Sequence, residues 1–153
     1  MTILALDLGT KLGWAAQLRD GIIVSGTASF RLGRFEGGGM MWVRFRAWLA
    51  EMHKSVGPIT QVWFEEVNSH VGVRDAHAYG GFLSHLTAWS ESETVPYAGV
   101  SVGTIKKHCT GKGNANKAAM VEAIRAKGFN PADDNEADAI ALLLCVQGER
   151  KAA

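Results

Sequence analysis

The sequence predicts an α/β fold: a mixed five-stranded sheet with helices on both faces. Three observations predict it. A hairpin pattern joins the first apolar runs, later segments alternate strand-like and helix-like, and the chain closes on apolar helical sequence. The 153 residues favour a single domain over 1–153. A chain of this size buries enough surface to fold without a disulfide or a structural metal.

The elements follow in order. Residues 3–8, Ile-Leu-Ala-Leu-Asp-Leu, read as a buried strand ending at Gly9. Residues 12–17 and 21–29 read as two more strands, with Asp20-Gly21 as the hairpin turn between them. After Gly37-Gly38-Gly39, the residues Met41, Phe45, Trp48, Leu49 and Met52 recur on one helical face, and Gly57-Pro58 ends that helix. Residues 60–67 read as a strand led by Val62, Trp63 and Phe64, and residues 74–90 as a helix despite Gly80 and Gly81. Val95 to Ala98 is a short strand, 101–108 a short helix, and Thr110 to Asn116 a Gly- and Asn-rich loop. Asn116 caps a helix from Lys117 to Lys127, Gly128 follows its end, and a last helix runs from about Asn135 to Gln147.

Composition excludes several classes. Apolar residues make up 47% and charged residues 20%, as in ordinary soluble proteins. No apolar run approaches the roughly 18 residues of a membrane span. The N-terminus has neither the basic region nor the cleavage site of a signal peptide, so a cytoplasmic protein is expected. Cys109 and Cys145 match no zinc or redox spacing and are expected as reduced thiols. The net charge of +1 does not itself indicate a nucleic-acid partner, but its distribution is uneven. Lys106, Lys107, Lys112, Lys117, Arg125 and Lys127 face only Glu122 in their stretch, and Asp133, Asp134, Glu136 and Asp138 follow at once. A basic stretch beside an acidic one suits a protein that grips an anionic backbone and holds a cation beside it, although a solvated surface has the same composition.

The chemistry is carried by carboxylates in apolar surroundings. Asp7 ends an apolar strand, where an unpaired charge is costly unless a cation offsets it. Glu65 and Glu66 repeat the anomaly on a second strand, and side-chain alternation allows only one of them to face a common site. Asp134 and Asp138, four apart, share one face at the start of the last helix. Their acidity would also be favoured by the helix dipole alone. Together these acids form a set of hard oxygen donors suited to Mg²⁺ or Mn²⁺. A pair of such ions can activate water and stabilise the leaving oxygen of a phosphodiester.

Four blocks, in order, carry a family resemblance: ILALDLGTKLGWA, VWFEEV, GTIKKHCTGKGNANKAAMVEAI and DDNEADAIALLL. The sequence resembles the RuvC-like Holliday-junction resolvases of the RNase H-like nuclease superfamily, across nearly the whole chain. The resemblance implies an RNase H-like fold and a metal-dependent, structure-selective endonuclease acting on branched DNA. By the same resemblance, Asp7, Glu65 and Asp138 are metal-binding carboxylates, the glutamate being the first of its pair. Lys117 is a catalytic lysine meeting the scissile phosphate, and Lys106 and Lys107 contact DNA. Lys112, in the same basic segment, is a further expected phosphate contact. Family members place the last two acids three residues apart, and Asn135 stands at that position here. Asp134 is the natural substitute as fourth ligand. Two ions per site and a homodimer through residues 74–90 are implied, with Gly80 and Gly81 allowing close approach and Tyr79, Phe82 and Leu86 supplying apolar area, although close packing inside one monomer would use the same small residues. The spacing and short length are similar to phage or prophage versions. Two other readings share some of these residues: an RNase H-like nuclease for RNA–DNA hybrids or flaps, and a shortened, non-catalytic relative of actin-like ATPases and sugar kinases, suggested by DLGT.

Overall fold

A computed structural model of the chain describes residues 1–70 and 72–152. One sheet of five strands has the order β3-β2-β1-β4-β5, with β1 at Ile3–Asp7, β2 at Lys11–Gln17, β3 at Ile23–Ser29, β4 at Gln61–Glu66 and β5 at Tyr97–Ser101. The pairs β1–β2 and β2–β3 are antiparallel, and β1–β4 and β4–β5 are parallel. The sheet is therefore mixed, as its hairpin and crossover segments predict. Helices α1 (Gly39–Ser55), α2 (Val73–Glu93), α3 (Val102–Thr110), α4 (Lys117–Ala126) and α5 (Asp134–Ala152) complete the chain. No described helix is long and apolar enough to cross a membrane.

Strand alternation divides the core. Leu4 and Leu6 of β1, Leu12 and Ala16 of β2, and Val62 and Phe64 of β4 pack with Phe45, Leu49, Phe82 and Leu86 of α1 and α2. Ile3, Ala5 and Ala15 turn the other way, against Ile124 of α4 and Ile140 and Leu143 of α5. With both faces covered, β1 reads as a continuous apolar run. The same parity sends Asp7 to the α5 side. On β4 it sends Glu65, which follows Trp63 by two, to that side and Glu66 away from it.

Several boundaries differ from expectation. The helix expected over 74–90 runs on to Glu93, and the strand expected over Val95 to Ala98 lies at Tyr97–Ser101. Thr94 turns with φ 57° and the Val95 amide donates to the Ser90 carbonyl at 2.8 Å, so Val95 belongs to the helix end and not to the strand. The hairpin consumes residues 21 and 22: Gly21 adopts φ +89°, and the Ile22 amide donates to the Asp20 carboxylate, so β3 begins at Ile23. The last helix continues past Gln147 to Ala152, and Gly148 within it is a close-approach site. A Cβ there would lie 2.4 Å from the His108 ring of α3.

Helix α5 is seated on β2 by a second close approach. A Cβ on Gly13 would stand 1.9 Å from the Asn135 carbonyl oxygen. The register pairs Gly13 with Asp7, so this seat brings the start of α5 beside the end of β1. Gly13→Ala should lower stability by about 1–3 kcal/mol in denaturant unfolding, through overpacking. Gly9→Ala is the control, because its Cβ would meet only Lys11 O at 3.9 Å. Equal stability of the two variants would show that α5 does not depend on this seat.

Candidate metal centre

Parallel strands β1 and β4 end at the same edge of the sheet, the usual location of sites in such sheets. There Asp7, Glu65 and Asp138 each offer a carboxylate oxygen, all within 4.8 Å of one another. Burial is the largest influence on each. It pushes Asp7 well above the usual carboxylate range, with the charges of Glu65 and Asp138 adding to it. Burial also raises Glu65, against the opposing effects of a hydrogen bond shared with Asp7 and the Lys106 charge. Asp138 is raised to about 7 by burial and by the charges of Glu65 and Asp134. Three acids so placed resist full ionisation unless a cation offsets them. Hard oxygen donors, mutual repulsion and partial burial fit a divalent ion such as Mg²⁺ or Mn²⁺.

The start of α5 is fixed from several sides. Asp133 caps it, its carboxylate accepting the Glu136 amide at 2.9 Å. Glu136 turns back to accept the Ala132 amide at 2.8 Å and the Ser25 hydroxyl at 3.0 Å. Lys11 pairs with Asp133 at 2.9 Å. Asp133 is thus committed to capping. Asp134 stands beside the three acids without joining them, because its carboxylate meets Lys117 Nζ at 3.2 Å.

The expected basic residues separate by position. Lys106 lines a cavity of about 150 Å³ with Glu65, Asp138 and Lys117, at the junction of α3 and α4. Lys107, the next residue on α3, is exposed and does not line that cavity, and Lys112 is exposed in the following loop. Lys117 opens α4, whose first turn is capped by the Asn116 side chain on the Ala119 amide at 2.8 Å.

The helix expected to form an interface is used partly inside the chain. Phe82 and Leu86 are buried in the core. A Cβ on Gly81 would stand 2.2 Å from the Trp42 ring of α1, so its small size serves packing within the chain. Tyr79 ties down the backbone at the end of β4: its hydroxyl donates to the Glu65 carbonyl at 2.8 Å and accepts the Val67 amide at 3.2 Å. Sequence reasoning missed this role, along with Gly13, Lys11 and Glu136. A tyrosine fourteen residues from an acid leaves no local signal, whereas Asp133-x-x-Glu136 is a legible capping pattern.

No family model matches the chain, and no curated protein does. Solved structures do match. Thermus thermophilus RuvC in complex with a Holliday junction substrate superposes with a TM-score of 0.81 at 21% identity, covering 99% of this chain and 96% of that one. A second Thermus thermophilus RuvC structure gives 0.76 at 20% identity, with 99% and 96% covered. The yeast mitochondrial Holliday junction resolvase gives 0.63 at 12% identity, with 98% and 80% covered. The fold is thus the RNase H-like fold of RuvC-type resolvases, as the sequence resemblance implies.

The acid cluster should give the metal-free protein a distinctive pH response. Asp138 holds its proton up to about 7 when folded, against 3.8 ordinarily. Between those values the folded state binds protons that the unfolded state has released, so stability falls as pH rises through the window. Thermal melting should therefore be lower at about pH 8 than at about pH 5.5, beyond the change seen in Asp138→Asn. Mg²⁺ or Mn²⁺ should raise the melting temperature far more at the higher pH. A metal-induced rise that is independent of pH would contradict binding at these carboxylates.

Proposed function

We propose that this chain is a metal-dependent endonuclease that resolves branched DNA, the Holliday junction above all, by phosphodiester hydrolysis. The observation that carries the reading is the convergence of Asp7, Glu65 and Asp138 at one sheet edge, with Lys106 and Lys117 beside them. The likeness to RuvC bound to a Holliday junction substrate supports the choice of branched DNA over an RNA–DNA hybrid.

In this reading Asp7, Glu65 and Asp138 hold the metal, Mg²⁺ or Mn²⁺, and Asp134 completes a site for two ions once it leaves Lys117. Bound ions of this kind supply Lewis acidity and a water of lowered pKa. Lys117, released from Asp134, offsets the negative charge that grows on the scissile phosphate. Lys106 lies close enough to the acids to serve the reacting phosphate, while Lys107 and Lys112 grip phosphates farther along the strand. Tyr79 keeps Glu65 aimed by fixing the backbone at the end of β4.

A direct test compares cleavage of a four-way junction, a flap, a linear duplex and an RNA–DNA hybrid in Mg²⁺ or Mn²⁺. The junction should be cut fastest. Asp7→Asn should lose cleavage while retaining junction binding, since it removes one ligand without adding bulk. Preference for the hybrid would replace this reading with that of an RNA–DNA nuclease, and full activity of Asp7→Asn would remove the site assignment.

Two cuts in one junction need two active sites in fixed relation, which a two-fold dimer supplies. Helix α2 remains the segment for it, through a different face from the one carrying Gly81. Ala76, Gly80 and Ser84 follow one another at intervals of four, and a Cβ on Gly80 would have nothing within 4 Å. By light scattering, Gly80→Glu should yield a folded monomer. Gly81→Glu should instead lower the melting temperature by colliding with Trp42. A wild type that stays monomeric with and without junction DNA would exclude paired cutting by a dimer.

A further inference from the structure

The segment between β3 and α1 carries a side chain with no task inside the fold. Phe35 is 94% exposed, more than any other large apolar residue described. A single exposed phenyl ring is unremarkable, but this one has an organised setting. The Arg34 guanidinium lies over it, 5.6 Å from the ring centroid. Arg31 and Arg34 are both exposed, and neither forms an ion pair among the described residues.

The segment is anchored at both ends. Phe30 is buried, packs on Phe45 and Phe82, and donates its amide to the Thr10 carbonyl at 2.8 Å. The Glu36 carboxylate accepts from the Gly33 amide and from the Arg44 guanidinium of α1. Arg44 thereby neutralises the segment's one acid, and Arg31, Arg34 and Phe35 project between the anchors.

Topology places this projection at the candidate metal centre's edge. Strand β3 runs parallel to β1, because each is antiparallel to β2. Asp7 pairs with Gly13, and Ser29, the last residue of β3, pairs with Lys11. The chain therefore leaves β3 at the edge where the carboxylates gather.

We propose that Phe35 stacks on an exposed base at the branch point of DNA, with Arg31 and Arg34 on the flanking phosphates. The proposal rests on the branched-DNA reading and adds the feature of the branch that the protein senses. Bases in continuous duplex are covered on both faces by their neighbours. At a branch the strands change partners, so opening it interrupts stacking there and makes a base face available to an aromatic ring. The two free guanidinium groups match an anionic partner better than an apolar protein surface.

The test measures binding by the full-length protein, with Ca²⁺ in place of Mg²⁺. The probes are a four-way junction with 2-aminopurine at the branch and a linear duplex of the same sequence. Phe35→Ala should weaken junction binding about tenfold, leave duplex binding unchanged and remove the fluorescence change on binding. Phe35→Trp should keep all three properties of the wild type. Arg34→Ala should weaken binding to both DNAs. The exposed ring can be removed without loss of core, so Phe35→Ala should melt with the wild type. If Phe35→Ala binds the junction with unchanged affinity and fluorescence, the stacking role is overturned while the junction-nuclease reading stands. Equal weakening on junction and duplex would make Phe35 a general contact, which also overturns it. A wild type that binds junction no better than duplex would remove the branched-DNA reading and this proposal together.

Discussion

The first turn of α5 lies on β2 with the Asn135 carbonyl over Gly13, where no side chain could stand. The candidate metal centre depends on that approach. Gly13 is the register partner of Asp7, so the helix arrives beside the strand end that carries the first acid. Asp138, one turn into α5, is then level with Asp7 and Glu65. The cap at Asp133, the Glu136 bridge to Ser25 and the Lys11 ion pair all act on the same few residues. They resist the repulsion that would otherwise push the helix start away from two other carboxylates.

That repulsion is the cost of building the site. Burial and like charge both raise the protons' affinity for these acids. The nearby cations offset it only in part, because Lys117 is shared with Asp134 and Lys106 reaches from α3. A ligand set without its ion is thus strained electrostatically, while the same set with an ion of charge +2 becomes favourable. Selection for oxygen-preferring cations follows from the donors alone, since the cluster contains no sulfur or imidazole.

Much of this was legible in the sequence because it follows from local periodicity. Acids that end apolar strands are anomalous wherever they occur, and Asp7 and Glu65 were visible for that reason. Even the choice between Glu65 and Glu66 follows from parity with Trp63 and Phe64, once the two faces of the sheet are known. What could not be read depends on contacts between distant segments. Gly81 looks the same in sequence whether it meets Trp42 of its own chain or a partner helix, and Tyr79 offers apolar area and a hydroxyl equally. Gly148 shows no reason for its small size until His108 is found against it. Asp134 and Asp138 share a helical face, but only the folded chain shows that Lys117 engages the first of them.

The three acids lie at positions 7, 65 and 138, so almost the whole chain must fold before they meet. Neither the hairpin of β1 to β3 nor the helical C-terminal third contains a complete site. Glu65 needs the parallel pairing of β1 with β4, and Asp138 needs α5 seated across β2. An ion held by all three therefore binds the native state in preference to the unfolded chain, and its binding free energy adds to the stability of the fold. The same linkage runs in reverse. Any change that loosens the seat of α5 weakens the ion site even when every ligand is intact, because the missing quantity is placement and not chemistry. The small residue at Gly13 is thus as much a requirement of the candidate metal centre as the carboxylates themselves.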